Sequence, residues 1–218
     1  MPFYASVVLD VDSTLCGIEG IDFLARRRGP EIGAQIEEVT ARAMRGEVSL
    51  ERVYGERLAL IQPTVADLEA LQHAYVNALA SDAEAGIRAM RAAGVRLALV
   101  SGGIREAIEP LAASLGFASD ELHAVAISFD GRGRYVGYDV ASPLASQRGK
   151  SQVVGALISE HRLTRPVLAV GDGATDVCMR DVADAFAAYV GFARRDNVVA
   201  HADLVVESFA QIAHVCLG

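Results

Sequence analysis

Lysine is almost missing from this 218-residue sequence: of 20 Lys and Arg side chains, a single one, Lys150, is lysine. A chain that uses arginine wherever a plain positive charge will serve marks the one place where a compact ammonium stands instead. Positive charge is scarce as a whole. Asp and Glu number 28, the formal net charge is -8 and the pI is about 5.1, which argues against the clustered basic surface that nucleic acid needs. The one basic run, Arg26-Arg27-Arg28, reads as a solvated helix end. Cysteine is limited to Cys16, Cys178 and Cys216, an odd count without C-x-x-C spacing. That argues against a disulfide framework or a zinc knuckle and fits a reducing cytoplasm. The histidines, at 73, 123, 161, 201 and 214, lack metal-ligand spacing and read as surface or packing residues. No apolar run approaches the about 20 residues of a membrane span, and the first one meets Asp10 and Asp12 too early for a signal peptide. What is plentiful is ordinary: 52% hydrophobic and 22% charged residues make a globular chain able to bury a core as one domain with an insertion, or as two small domains.

Residues 3–9 are apolar, rich in β-branched and aromatic side chains, and end in acids, the pattern of a buried parallel strand. Runs at 95–100 and 167–170 end in Ser101-Gly102-Gly103 and Gly171-Asp172-Gly173, with weaker ones at 185–190 and 204–206. Helical spacing fills the intervals, through Ile104, Ile108, Leu111 and Leu115, and again after Lys150. Ser81 and Glu84 form the pattern of a capping box for a helix closing at Gly94. The stretches 123–129 and 134–138, around Asp130-Gly131-Arg132-Gly133, predict a hairpin. Strands alternating with helices give an α/β fold with a doubly wound parallel sheet. Residues 17–79 differ, being helical throughout with a break at 62–64. So long an insertion after the first strand predicts a lid over a site at the strands' carboxyl ends, where open α/β sheets bind ligands. The expected division is a core of 1–16 and 80–218 with a helical cap of 17–79.

Four groups of polar residues fall at predicted strand ends or the following helix starts: Asp10 with Asp12, Ser101 with Gly102, Lys150, and Asp172 with Asp176. Any one such acid is as well explained as a helix or turn cap; the set is not. Alternation puts Asp10 and Asp12 on one side of an extended segment, and with Asp172 they make an oxygen-rich site suited to Mg²⁺. Lys150 offers a point charge for phosphate. Ser101 and the Gly102 N–H, at a helix N-terminus, offer an anion site. In Gly171-Asp172-Gly173-Ala174-Thr175-Asp176 the glycines let the backbone bend beneath an acid, and Asp176 follows one turn later, where it can orient a metal's water or Lys150.

These residues, in this order, resemble the haloacid-dehalogenase-like phosphatases, whose signature is D-x-D-x-T, then Ser or Thr, then Lys, then G-D-x-x-x-D. Within that superfamily the opening from Asp10 to Asp22, with Glu19 nine residues after Asp10, is most similar to phosphoserine phosphatases, and so are Arg42-Ala-Met44-Arg-Gly46 and Glu56-Arg57. The resemblance implies a Rossmann-like core with a C1-type cap, Asp10 as nucleophile and Asp12 as general acid and base. It also implies Mg²⁺ held by Asp10, the Asp12 carbonyl and Asp172. Lys150, Ser101, Gly102 and Thr14 would hold phosphate, with Thr175 and Asp176 alongside; Glu19, Met44 and Arg57 would bind the amino acid. The implied substrate is a small phosphomonoester, L-phosphoserine, within serine biosynthesis. The sequence departs from the pattern at Leu50 and Ile104, where members often carry Phe, which leaves open another phosphomonoester such as phosphohomoserine, phosphocholine or a sugar phosphate. A phosphotransferase shares every motif. A signalling receiver also combines an acceptor Asp with Ser or Thr, Lys and Mg²⁺, but has no need of Asp12 or of an inserted cap. Oligomeric state is not readable from the sequence.

Overall fold

The computed structural model describes residues 2–44 and 50–218; the side chains of residues 41, 43, 44, 50 and 51 also lie outside the description. Met44 and Leu50, both singled out by the sequence, are among these.

The first strand, β1 (Ser6–Leu9), is buried along its whole length and pairs in parallel with β2 (Arg96–Ile104) on one side and β6 (Val167–Gly171) on the other. Outward from β2 lies β3 (Leu122–Val125); outward from β6 lie β7 (Ala185–Tyr189) and β8 (Leu204–Val206), giving the parallel order β3-β2-β1-β6-β7-β8. The chain therefore starts at the centre, winds to one edge and returns to build the other. Such a reversal between β1 and β6 opens a crevice at the strands' carboxyl ends. Near-continuous apolar strands are what burial on both faces requires.

Between β1 and β2 run α1 (Gly20–Arg28), α2 (Pro30–Met44), α3 (Leu50–Ile61), α4 (Val65–Asn77) and α5 (Ala83–Ala92). The α1 helix packs on α2, α3 and α4, and α4 packs on α6 (Arg105–Ser114). Thr64 starts α4 with a capping box: its hydroxyl accepts from the Asp67 N–H, and Asp67 accepts from the Thr64 N–H at 2.9 Å. The remaining helices are α7 (Gly149–Ser159), α8 (Ala174–Val177), α9 (Asp196–Val199) and α10 (Phe209–Leu217). Among the described residues no helix is long and apolar enough to cross a membrane.

Two local expectations are corrected. The predicted capping box at Ser81 is absent: Asp82 is the cap residue of α5, and its carboxylate accepts from the Ala210 N–H instead, tying α5 to α10. The predicted hairpin forms only from β4 (Ile127–Phe129) and β5 (Tyr135–Tyr138). Residues 122–125 pair with β2 as β3, because Leu122 and Val125 are buried there as an edge of the main sheet.

Candidate active site

Asp10 follows β1 directly, with its N–H bonded to the Val170 carbonyl of β6 at 3.0 Å, so the two central strands fix its backbone. Asp172 follows β6. Lys150, from the first turn of α7, reaches between them: its Nζ lies 2.7 Å from Asp10 Oδ1 and 2.6 Å from Asp176 Oδ1. Asp176, on α8, also accepts from the Gly173 N–H at 2.8 Å. A Cβ on Gly171 would overlap the Asp176 carboxylate, so the glycine is what lets α8 turn back so tightly. All four residues are buried, at most 5% exposed.

Burial, first, and the nearby Asp176 raise the pKa of Asp10, while the Lys150 ammonium pulls it back. Burial alone would depress Lys150, but Asp10 and Asp176 outweigh it and raise its pKa, keeping it charged. Carboxylate oxygens of Asp10, Asp172 and Asp176 lie within 4.8 Å of one another. Asp10 Oδ1 and Asp172 Oδ2 are buried without a well-formed hydrogen bond and meet cations only as ion pairs, with Lys150 and with Arg195. A compact cluster of hard, under-satisfied oxygens suits a divalent cation.

The Asp12 carboxylate, expected from alternation to join Asp10 and Asp172, lines the same cavity but lies outside that cluster. Its Oδ1 accepts from the Tyr75 hydroxyl at 2.7 Å and its Oδ2 from the Gly20 N–H at 3.2 Å. Burial, then Glu19, push its pKa up to about 7, against the lowering effect of the Tyr75 and Gly20 hydrogen bonds. The carboxyl is thus poised to give and take a proton near neutrality.

Ser101, near the end of β2, accepts from the Gly103 N–H at 3.0 Å, leaving its own proton to donate. Thr14 donates to Asp172 Oδ1 at 3.2 Å, so its hydroxyl orients an acid. Glu19, just before α1, accepts from Ser13 Oγ at 2.7 Å. Arg57, on α3, pairs with Asp22, and its buried Nε has no partner among the described residues.

One cavity of about 460 Å³ is lined by Asp10, Asp12, Glu19, Arg57, Ser101, Gly102, Lys150, Asp172, Thr175 and Asp176, together with Tyr54, Arg195 and Asn197. The structure thus brings together every site residue expected from sequence except Thr14, which lies one bond behind the wall, and Met44, whose side chain is outside the description. Sequence reasoning missed Tyr75 and Arg195. Arg195 stands in the loop after β7, with Nη1 donating to the Asp172 carbonyl at 3.2 Å and Nη2 3.4 Å from Glu19 Oε1; its place beyond a strand's carboxyl end was the available signal. Tyr75 continues the buried spacing of Leu68 and Leu71 on α4, and nothing in that spacing tells a core ring from one with a working hydroxyl.

A family model described as haloacid dehalogenase-like hydrolase matches residues 7–181. The chain is 35% identical over 209 residues to a chloroplastic phosphoserine phosphatase of Arabidopsis thaliana, covering 95% of this chain and 70% of that one. It is 33% identical over 212 residues to the phosphoserine phosphatase of Homo sapiens, with 96% and 93% covered. A crystal structure of a phosphoserine phosphohydrolase-like protein from Francisella tularensis superposes with a TM-score of 0.82 at 24% identity, covering 96% and 98%.

Proposed function

The chain belongs to the haloacid dehalogenase-like hydrolase family, and from that premise we propose that it hydrolyses L-phosphoserine to L-serine and phosphate. The observation that carries the reading is the placement of Glu19 and Arg57 in one cavity with Asp10 and Lys150. An acid and a base complement the ammonium and carboxylate of an amino acid, while Lys150 and Ser101 complement its phosphate. The names of the relatives at 33–35% identity agree with that substrate.

In this reading the Asp10 carboxylate attacks phosphorus and forms an aspartyl-phosphate, as Asp12 gives its proton to the departing serine oxygen. Asp12 then takes a proton from the water that attacks the phosphorus, which frees phosphate and restores Asp10. Lys150 stays charged beside both carboxylates and offsets charge on the phosphoryl oxygens, and Ser101 and the Gly102 N–H donate to them. Asp10, Asp172 and the Asp12 carbonyl would hold Mg²⁺, with Asp176 beside them. When bound, the ion supplies further neutralisation of phosphoryl charge. Residues 17–79 act as the cap over a core of 1–16 and 80–218, excluding water and reading the leaving group. The reaction fits a place in serine biosynthesis in the cytoplasm.

The test is phosphate release from a panel of L-phosphoserine, phosphohomoserine, phosphoethanolamine, phosphocholine and glycerol phosphate, with Mg²⁺ and with chelator. L-phosphoserine should give the highest kcat/KM, and the chelator should abolish turnover. Another ester standing well above L-phosphoserine would overturn the substrate assignment.

A further inference from the structure

We propose that Tyr75 is a positioning residue for Asp12, holding its carboxyl group in the orientation that delivers a proton to the leaving oxygen. The proposal rests on the acid–base role of Asp12 just argued. Two donors hold the two oxygens of Asp12 from opposite ends of the inserted helices: the Gly20 N–H at the start of α1 and the Tyr75 hydroxyl near the end of α4. A carboxyl gripped at both oxygens cannot rotate about its terminal torsion, and productive proton transfer depends on that geometry.

The space around the hydroxyl is matched to this task. Tyr75 is fully buried, and its backbone carbonyl accepts from Cys16 Sγ at 3.4 Å, which ties this turn of α4 to the loop after β1. A Cβ on Gly20 would overlap the Tyr75 hydroxyl. A Cβ on Gly103 would come within 3.4 Å of it. The phenol thus reaches Asp12 through a gap that the missing side chain of Gly20 leaves open. A tyrosine serving only as core filling needs some partner for its hydroxyl, but that need does not call for the one carboxyl the reaction uses, nor for a glycine opposite.

The two roles separate by leaving group. kcat/KM reports steps up to departure of the alcohol, so loss of proton delivery penalises an alkyl ester and spares an aryl ester whose phenolate leaves without help. Tyr75→Phe should lower kcat/KM for L-phosphoserine about 10- to 100-fold, part of the about 10²–10⁴ that acid–base catalysis contributes, and for 4-nitrophenyl phosphate by less than about 3-fold. Gly20→Ala, which displaces the hydroxyl while keeping it, should give the same ester-selective loss, and the double variant should lose little more than Tyr75→Phe alone. If Tyr75→Phe does not fold, as judged by circular dichroism, Gly20→Ala carries the same comparison. Equal losses on the two esters, in whichever variant folds, would overturn the positioning role. Asp12→Asn is the control for the underlying reading: it should show the same selectivity, larger. Should Asp12→Asn itself fail to discriminate the esters, the assignment of Asp12 is at fault; should it discriminate while the Tyr75 variant does not, Tyr75 alone is.

Discussion

The cavity has two walls built on different principles. One is the rim of Asp10, Lys150, Asp172 and Asp176, whose side chains are at most 7% exposed: Lys150 bridges Asp10 and Asp176, the Asp10 N–H bonds to β6, and Asp172 accepts from Thr14. The other is the helical wall, where the Glu19 side chain is 44% exposed and Arg57 20%, with Arg57 engaging Asp22 on the neighbouring helix. A buried rim held by two central strands and the first turns of α7 and α8 leaves little freedom for its side chains, which is what a reaction that depends on positioning requires. The helical wall is set by side-chain rotamers and by the packing of α1 and α3, whose Leu24 and Leu58 join the same core as the strands. Under the proposed function, the reacting groups belong to the buried rim and the groups that read the leaving group belong to the more exposed helical wall.

The sharpest way to break that contrast is at Lys150. Lys150→Met leaves Asp10 and Asp176 as unpaired buried carboxylates, a defect of about 3–5 kcal/mol in stability, and removes the charge facing the phosphoryl group, for which a loss of about 10²–10³ in kcat is expected. Thermal melts and steady-state rates read the two separately. Lys150→Arg should restore little of either, since a planar guanidinium does not fit where one ammonium touches two carboxylates at 2.6 and 2.7 Å. Full rescue by arginine would mean that the rim tolerates more rearrangement than its burial implies.

The helical wall should respond differently. Arg57→Ala is expected to raise KM for L-phosphoserine about 10- to 100-fold, the value of a charged hydrogen bond, with kcat changed far less. Phosphoethanolamine, which lacks the carboxylate, should be almost indifferent. If kcat falls as steeply as KM rises, the helical wall takes part in the chemistry as well as in recognition.

How much of this was legible in the sequence follows the same division. Apolar runs ending in acids located β1 and β6, because burial on both faces leaves a continuous hydrophobic signature that a polar strand end interrupts. The lysine count pointed at Lys150. The β2 strand runs on through Ser101-Gly102-Gly103 to Ile104, since two glycines continue an extended path as readily as they turn, and spacing alone does not tell which. Residues 123–125 fall in the hairpin arm that the sequence predicts but join β3 instead, because partner choice at a sheet edge is decided by which face the rest of the chain covers. The same limit hid Tyr75: its contact with Asp12 spans 63 residues and depends on how α4 returns to the sheet, which no local pattern encodes.

The smallest effect is expected at Thr64, and it asks whether α4, the helix that carries Tyr75, can be weakened without touching the rim. The Thr64 hydroxyl caps α4 and also donates to Asp67 Oδ2 at 2.7 Å, while Asp67 pairs with Arg28 from α1. Thr64→Ala removes the cap but leaves the Asp67–Arg28 pair and the Asp67 bond to the Thr64 backbone N–H, a loss of about 0.5–2 kcal/mol. For a chain of this length that is a fall of roughly 1–8 °C in Tm. Because α4 remains packed on α1 and α6, Tyr75 should stay in place, so kcat/KM at 25 °C should be unchanged. Loss of activity well below the melting transition would show that α4 acts on Asp12 as a unit, with its first turn coupled to its last.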